Sequence, residues 1–307
     1  MAIHATPLDD STVSELETRF RGELLTPGTA EFNEARTIWN GMIDRQPALI
    51  AQCAGVADII SAVRFATEHD LPISVKGGGH NIAGRAVEDN ALMIDLSPMN
   101  SVRVDPEAKT ARVEPGVVLN ELDHETQAFG LATPVGYNST TGIAGLTLGG
   151  GWGWLSRRYG LTVDNLLSVD VVTADGELVH ASEDENEDLF WGTRGGGGNF
   201  GVVTSFEFQL HEVGPEVLSG PIVHPFEDAE MVLKEHRRLA AEAPNEVAVW
   251  FVIRHAPPLP FIPKEWHGKK VLILAAFYGG EMAEGEKILQ PWRDIGDPIA
   301  DAGGPHP

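Results

Sequence analysis

Three clusters of consecutive glycines limit the fold of this chain more than any other feature of its sequence. They lie at residues 77–79, 149–151 and 195–198 of a chain of 307 residues that contains 34 glycines. Because glycine has no Cβ, a run of glycines marks backbone that turns sharply or comes close to another group. We therefore expect a protein in which three loops approach a ligand.

Composition narrows the classes of fold and partner. A length of 307 residues is enough for two domains, and 42% hydrophobic with 22% charged residues is a globular balance. The net charge of −23 argues against a nucleic-acid partner, since phosphate binding needs clustered basic residues. The acidic surface fits a halophilic protein, which stays soluble in concentrated salt, and equally an ordinary acidic protein.

The single cysteine, the first residues and the apolar runs indicate where in the cell the protein is located. Cys53 is the only cysteine, so an internal disulfide is impossible, and a small buried residue is its expected role. The first residues have neither a basic start nor an apolar stretch, so we expect no signal peptide. The longest apolar run, residues 271–277, is too short to cross a bilayer. These points predict a cytoplasmic protein without a membrane partner.

The chain before the first glycine cluster reads as alternating helices and strands. Apolar residues spaced three and four apart predict a helix over residues 9–26. Residues 48–52 read as a buried strand, residues 56–70 as an amphipathic helix, and residues 72–75 as a second strand. This order places the glycine loop at the carboxyl end of a strand, where α/β proteins bind ligands.

The texture of the sequence changes after residue 213. Before it, we expect two hairpins, over residues 102–113 and 166–180. After it, the glycine clusters disappear, and strands and helices alternate in a pattern typical of an α+β unit on an antiparallel sheet. We therefore predict two domains, residues 1–213 and residues 214–307.

The first cluster, in the run KGGGHN, suggests an anion site. Backbone N–H groups of consecutive glycines can turn inward and form a concave nest for a diphosphate. The run fits neither of two familiar nucleotide motifs. Arg85 and Ala86 stand where a P-loop needs Lys and Ser or Thr, and Ile82 stands where the Rossmann motif needs its third glycine. Plain ATP and NAD sites are therefore disfavoured.

His80 follows the three glycines directly. A turn histidine that hydrogen-bonds to the backbone is one interpretation, and a ligand-contacting histidine is the other. The histidines of the chain show no His-x-x-x-His pair or similar spacing, so we predict no metal site.

Long stretches around the clusters resemble one family. SVKGGGHNIAG resembles the diphosphate loop of berberine-bridge-enzyme-like FAD-linked oxidases, which belong to the PCMH-type FAD-binding superfamily. ATPVGYNSTTGIAGLTLGGGWGWLSRRYGLTVDNLLSVDVVTADG is similar to the second flavin segment, and FWGTRGGGGNFGVVTSFEF to the third. The resemblance implies an α+β fold: a PCMH-type domain of two α/β subdomains, followed by a partial antiparallel-sheet substrate domain.

The resemblance also implies FAD as cofactor, joined covalently to His80. In the family the loop histidine carries the flavin, and the surrounding glycines admit the cofactor. The predicted cofactor-binding residues are Lys76, Gly77, Gly78, Gly79, His80, Asn81, Gly84, Thr141, Gly142, Gly145, Gly149, Gly150, Gly151 and Val203. The run at residues 149–151 has an alternative role, since those glycines can serve tight strand packing alone.

Departures from the family pattern refine these expectations. Asn138 stands where some members carry a second, cysteinyl flavin link, so a single link is expected. Thr141 matches a position that controls oxygen access, and its modest size is compatible with an oxidase. Members usually continue past this length with a closing segment that supplies the catalytic base. We therefore expect a chain that lacks this segment, and we assign no catalytic residue.

Three functions remain open at this point. The first is a covalent flavoprotein oxidase that moves hydride from a substrate C–H bond to FAD and then to O2, acting on an alcohol, sugar or secondary metabolite. The second is a dehydrogenase with non-covalent FAD. The third is a truncated flavin-binding module, or an acidic interaction protein, without turnover. Substrate identity and oligomeric state are not predicted.

Overall fold

A computed structural model describes residues 8–306, in which helices and sheets are interleaved. The chain divides into two compact units. The first contains the residues up to 129 together with 133–153 and 161–210. The second contains the residues from 211 onward together with 130–132 and 154–160.

The first unit begins with a mainly parallel sheet. Its elements are α1 (Asp10–Glu17), β1 (Glu23–Leu25), α2 (Ala30–Ala35), β2 (Leu49–Gln52), α3 (Val56–Glu68), β3 (Ile73–Lys76) and β4 (Leu92–Asp95). Strands β2, β4 and β3 run parallel, and β1 pairs antiparallel with β2, giving the order β1-β2-β4-β3. Helix α3 buries Ile59 and Val63 against Leu92 and Ile94 of the sheet. The predicted strand–helix–strand unit is confirmed.

The helix predicted over residues 9–26 is wrong in its second half. Helix α1 ends at Glu17, and the chain turns into β1. The N–H groups of Arg21 and Gly22 donate to the carboxylate of Asp58, at 2.8 and 3.2 Å. A Cβ on Gly22 would lie 1.9 Å from the carbonyl oxygen of Gln52, so the strand packs where a helix could not. These tertiary contacts override the helical periodicity.

The rest of the first unit is built on an antiparallel sheet. The next elements along the chain are β5 (Val102–Asp105), β6 (Thr110–Val113), α4 (Leu119–Gln127), β7 (Leu131–Ala132), α5 (Ile143–Leu148), α6 (Ser156–Tyr159), β8 (Leu166–Val172), β9 (Leu178–Ser182), α7 (Glu187–Thr193) and β10 (Val202–Gln209). Of these, β7 and α6 lie in the two segments that group with the second unit. The sheet order is β5-β6-β10-β8-β9, and both predicted hairpins are confirmed. Phe206 and Phe208 of β10 are fully buried.

The second unit is an antiparallel sheet packed against two helices. Its elements after residue 210 are β11 (His211–Glu212), β12 (Val217–Pro225), α8 (Ala229–Glu242), β13 (Val247–His255), β14 (Lys270–Tyr278), α9 (Met282–Arg293), β15 (Ala300–Asp301) and β16 (Gly304–His306). The order is β13-β14-β12-β15, with β16 beside β12. Val232, Leu289 and Trp292 of the helices pack on Ile222 and Leu274. The predicted α+β class is confirmed.

Within the described residues, no helix is both long and apolar enough to span a bilayer.

Candidate functional site

The first glycine cluster begins where β3 ends. After Lys76 the chain leaves the sheet, and Gly79 adopts a φ of +68°, a conformation that favours glycine. Within residues 8–306, the backbone N–H groups of residues 77–80 donate no hydrogen bond to another part of the chain. A run of free donors at the carboxyl end of a parallel strand can bind an anion such as a diphosphate.

The second glycine-rich segment crosses this loop at Gly142. A Cβ added to Gly78 would lie 2.3 Å from the nitrogen of Gly142, and a Cβ added to Gly142 would lie 2.3 Å from the nitrogen of Gly78. The crossing therefore needs glycine on both sides. Ile143, the first residue of α5, donates its N–H to the carbonyl of Val117 at 2.9 Å, which ties the segment to the chain before α4. Two segments that the sequence predicted separately thus lie against each other.

His80 lies half-buried beside the crossing. Its Nε2 is 3.0 Å from Oγ1 of Thr140, and its Nδ1 is 3.5 Å from Oγ1 of Thr141. Burial lowers the pKa of His80, and a hydrogen bond with the Thr140 backbone opposes that shift. The imidazole is therefore neutral at pH 7, and a neutral imidazole keeps one nitrogen lone pair for bonding.

A short segment after α2 holds the loop in place. The ring of Trp39 stacks on His80 with 4.4 Å between centroids and 17° between planes. The Trp39 N–H donates to the carbonyl of Gly79 at 3.1 Å, and the Asn40 side-chain amide donates to the carbonyl of Ile82 at 2.8 Å. Both ends of the histidine-containing turn are thereby anchored to one segment.

Three other predicted residues of this loop are engaged within the protein. The Lys76 ammonium donates to the carbonyl of Ala35 at 2.7 Å and lies 3.7 Å from the buried carboxylate of Asp95. Asn81 is exposed and accepts the Arg85 N–H at 3.2 Å. Gly84 has a φ of +74°, a turn conformation that favours glycine.

The remaining predicted glycines divide into open and packed positions. A Cβ on Gly145 or Gly150 would meet nothing within 4 Å among the described residues, so space is available beside them. Gly149 ends α5. Gly151 combines a φ of +71° with a Cβ position 2.2 Å from Oγ1 of Thr162, which is the packing role that the sequence left open.

The third cluster reaches the second through the backbone. The N–H of Gly197 donates to the carbonyl of Leu148, at the end of α5, at 2.9 Å. Val203 is buried in β10 and pairs with Val171 of β8. The antiparallel sheet therefore holds Val203, which follows the third glycine cluster in the chain, in a fixed position.

Two tyrosines that lie close in sequence to the second glycine cluster make aromatic contacts. Tyr137 lies 6.1 Å from Trp152, ring to ring, in the first unit. Tyr159 stacks on His211 at 3.8 Å in the second unit. Burial raises the pKa of Tyr159 and lowers the pKa of His211. Within the described residues, no cluster of His, Cys, Asp or Glu is arranged to hold a metal ion.

Sequence reasoning missed Trp39 and Thr140, which contact His80 directly. A lone tryptophan in a short polar segment was the available signal for Trp39. Thr140 lies between two predicted features, Asn138 and Thr141, but its hydroxyl gives no signal in the sequence alone.

Taken from the residues upward, the arrangement defines a dinucleotide-binding domain. It has free amides at the end of a parallel strand, bare glycine backbone around them, and a neutral histidine beside them. FAD fits this arrangement, because its diphosphate matches the free amides, and the crossing segment carries glycines with open space beside them at Gly145 and Gly150.

Comparison with known proteins identifies the domain. Residues 47–182 match the family model described as FAD binding domain. The chain is 42% identical over 200 residues to (R)-6-hydroxynicotine oxidase of Paenarthrobacter nicotinovorans, covering 65% of this chain and 44% of that protein. The structure of Physcomitrella patens BBE-like 1 superposes with a TM-score of 0.83 at 27% identity, covering 96% of this chain and 62% of that one.

A third similar protein widens the range of chemistry. Xylooligosaccharide oxidase from Myceliophthora thermophila, solved in complex with xylobiose, gives a TM-score of 0.79 at 29% identity over 96% of this chain and 61% of that one. The chain contains an FAD binding domain and is similar in sequence and fold to berberine-bridge-enzyme-like FAD-linked oxidoreductases of the PCMH type, as its sequence motifs predicted. It spans between 44% and 62% of the length of these relatives.

Proposed function

We propose that this chain binds FAD covalently through His80 and belongs to an oxidase of small molecules. The observation that carries the proposal is the neutral, half-buried imidazole directly after free backbone amides, where bare glycine backbone of a second segment crosses. When bound, FAD takes a hydride from a substrate C–H bond and passes two electrons to O2, forming hydrogen peroxide.

The roles of the chain follow from its contacts. The amides of Gly77, Gly78 and Gly79 hold the diphosphate by hydrogen bonds to its charged oxygens. Gly145 and Gly150 admit the ring because nothing occupies the space beside them. A covalent histidyl bond prevents loss of the cofactor and makes the flavin easier to reduce.

Thr141 is assigned a role toward the electron acceptor, and the second unit a role toward the substrate. Thr141 lies beside His80 and is small, which leaves room for O2 at that edge of the site. We assign substrate selection to the antiparallel sheet of residues 214–307. The named relatives act on a hydroxynicotine and on xylooligosaccharides, so amines with a C–H bond next to nitrogen and sugars with a C–H bond next to O–H are the first classes to test.

Denaturing gel electrophoresis tests the cofactor bond. Protein produced with ample riboflavin is denatured, and flavin fluorescence is read on the polypeptide band. The wild type and the control variant His124→Ala, whose side chain is 84% exposed, are expected to fluoresce. His80→Ala is expected to lose the band fluorescence, and an unchanged band in His80→Ala refutes the proposal.

Peroxide release separates the oxidase from the alternatives. Purified protein is supplied with (R)-6-hydroxynicotine or xylobiose in air, and peroxide and dye reduction are measured in parallel. Peroxide above background supports an oxidase. Dye reduction without peroxide supports a dehydrogenase, and neither with FAD bound supports a module without turnover.

A further inference from the structure

The hydrogen bonds around His80 determine which of its nitrogens carries the proton. The starting point is Asn138, whose Oδ1 accepts the backbone N–H of Thr140 at 3.2 Å. Because a backbone N–H can only donate, this contact fixes the orientation of the Asn138 amide. The same Oδ1 accepts the Thr140 hydroxyl at 3.0 Å, so the hydroxyl proton points to Asn138.

The proton on Thr140 settles the tautomer of the imidazole. With its own proton donated to Asn138, Oγ1 of Thr140 can only accept from His80. The atom 3.0 Å away is Nε2, which is therefore protonated. A neutral imidazole carries one proton, so the lone pair is on Nδ1. Oγ1 of Thr141 is 3.5 Å from Nδ1, too far for more than a weak hydrogen bond.

Trp39 fixes the plane of the ring. Its indole stacks on the imidazole, and its backbone N–H donates to the carbonyl of Gly79 next to His80, which holds the two chain segments together. A ring flip of the imidazole would exchange the positions of nitrogen and carbon and break the hydrogen bond to Thr140. Stacking and hydrogen bonding therefore select one orientation together.

We propose that Thr140, oriented by Asn138, and Trp39 are positioning residues that make Nδ1 of His80 the atom that bonds to the flavin. The proposal rests on the proposed covalent attachment. Nδ1 forms the bond to the methyl carbon at position 8 of the ring system, which loses a proton. Nε2 loses its proton through Thr140, which is exposed to solvent. The electron pair of the broken C–H bond leaves with two protons on O2, as hydrogen peroxide.

The rate of attachment tests the role of each contact. Apoprotein from cells starved of riboflavin is mixed with FAD in air, quenched in acid, and assayed for protein-bound fluorescence over time. Loss of one hydrogen bond to the imidazole is expected to slow attachment about tenfold in Thr140→Val. Thr140→Ser restores the bond and is expected to react like the wild type.

Control variants separate positioning from general damage. Ser139→Ala removes an exposed hydroxyl from the same loop and is expected to leave the rate unchanged. Trp39→Leu is expected to slow attachment, whereas Trp39→Phe keeps a stacking ring and most of the rate. Quenching of FAD fluorescence on reversible binding shows that each variant is folded. A Thr140→Val protein that binds FAD and reacts at the wild-type rate overturns the proposal.

Nuclear magnetic resonance gives a readout independent of attachment. In apoprotein labelled with ¹⁵N-histidine, the His80 signals are expected to show the Nε2–H form, and Thr140→Val is expected to show a mixture of both forms. In the flavin peptide from wild-type protein, the bond is expected at Nδ1. A bond at Nε2, or an Nδ1–H form in the apoprotein, overturns this inference and leaves the covalent link intact. Absence of any His80 link refutes the proposed function itself.

Discussion

Replacing Gly78 with alanine places a methyl group where the two flavin segments touch. The new Cβ would lie 2.3 Å from the nitrogen and 2.6 Å from the Cα of Gly142. Both are backbone atoms, so relief requires one segment to move away from the other. Overpacking of this kind costs about 2 kcal/mol. For a unit of this size, we expect the midpoint of thermal unfolding to fall by about 4–8 °C.

The same displacement is expected to weaken cofactor binding, because the amides of the loop move with the backbone. Thermal unfolding followed by circular dichroism, with and without FAD, measures both effects. Gly145→Ala is the matched control for the unfolding of the apoprotein alone, because Gly145 is itself proposed to lie beside the flavin: it adds a methyl group to helix α5 with nothing within 4 Å among the described residues. Alanine there is expected to stabilise the apoprotein by up to about 1 kcal/mol. A Gly78→Ala protein as stable as the wild type would show that the crossing is not close-packed.

Three further predictions concern stability. In Asp58→Asn one carboxylate oxygen becomes an amide NH2, so at least one of the three backbone N–H groups that the carboxylate binds loses its acceptor. The change is expected to cost about 2 kcal/mol in urea unfolding, and an unchanged urea midpoint contradicts this. Burial lowers the pKa of His224, and the nearby charge of Asp228 opposes this shift. The unfolded chain therefore binds the proton more tightly than the folded one, so the free energy of unfolding is expected to fall as the pH drops below about 6.5. Measuring the unfolding midpoint as a function of pH checks the sign of this effect. Both ring nitrogens of His224 are buried without a hydrogen-bond partner in the described chain. His224→Leu is therefore expected to keep or raise the stability and to make it less dependent on pH. A steeper pH dependence in this variant would show that His224 is not the group responsible.

The loop and its histidine could be predicted from sequence because the glycine run stands directly after a predicted strand and within a long motif that resembles one family. The run from residue 77 follows a strand of a local strand–helix–strand unit, so its place at the carboxyl end of β3 needed no distant contact. Helix α3 was predictable for the same reason, since its apolar residues recur at helical spacing and pack on the strand that precedes it in the chain. In this part of the chain, the secondary structure that the local sequence favours is the one that the fold contains.

Contacts between distant residues explain what sequence could not predict. The strand at Glu23–Leu25 replaces a helical pattern because Asp58, far along the chain, binds the N–H groups of the turn before it. Thr140 reaches His80 because the second segment crosses the loop at Gly142, and Trp39 reaches it from the segment whose backbone N–H binds the carbonyl of Gly79. The segment 154–160 groups with the second unit although its sequence continues a flavin motif, because Trp154 stacks on Trp250 at 4.0 Å.

Peptide mapping of the flavin tests the central claim most directly. Protein made with excess riboflavin is digested, and the yellow peptide is sequenced by tandem mass spectrometry. A flavin mass is expected on the peptide that contains residues 76–84, carried by His80. A flavin on any other residue, or a colourless protein that ignores added FAD, contradicts it.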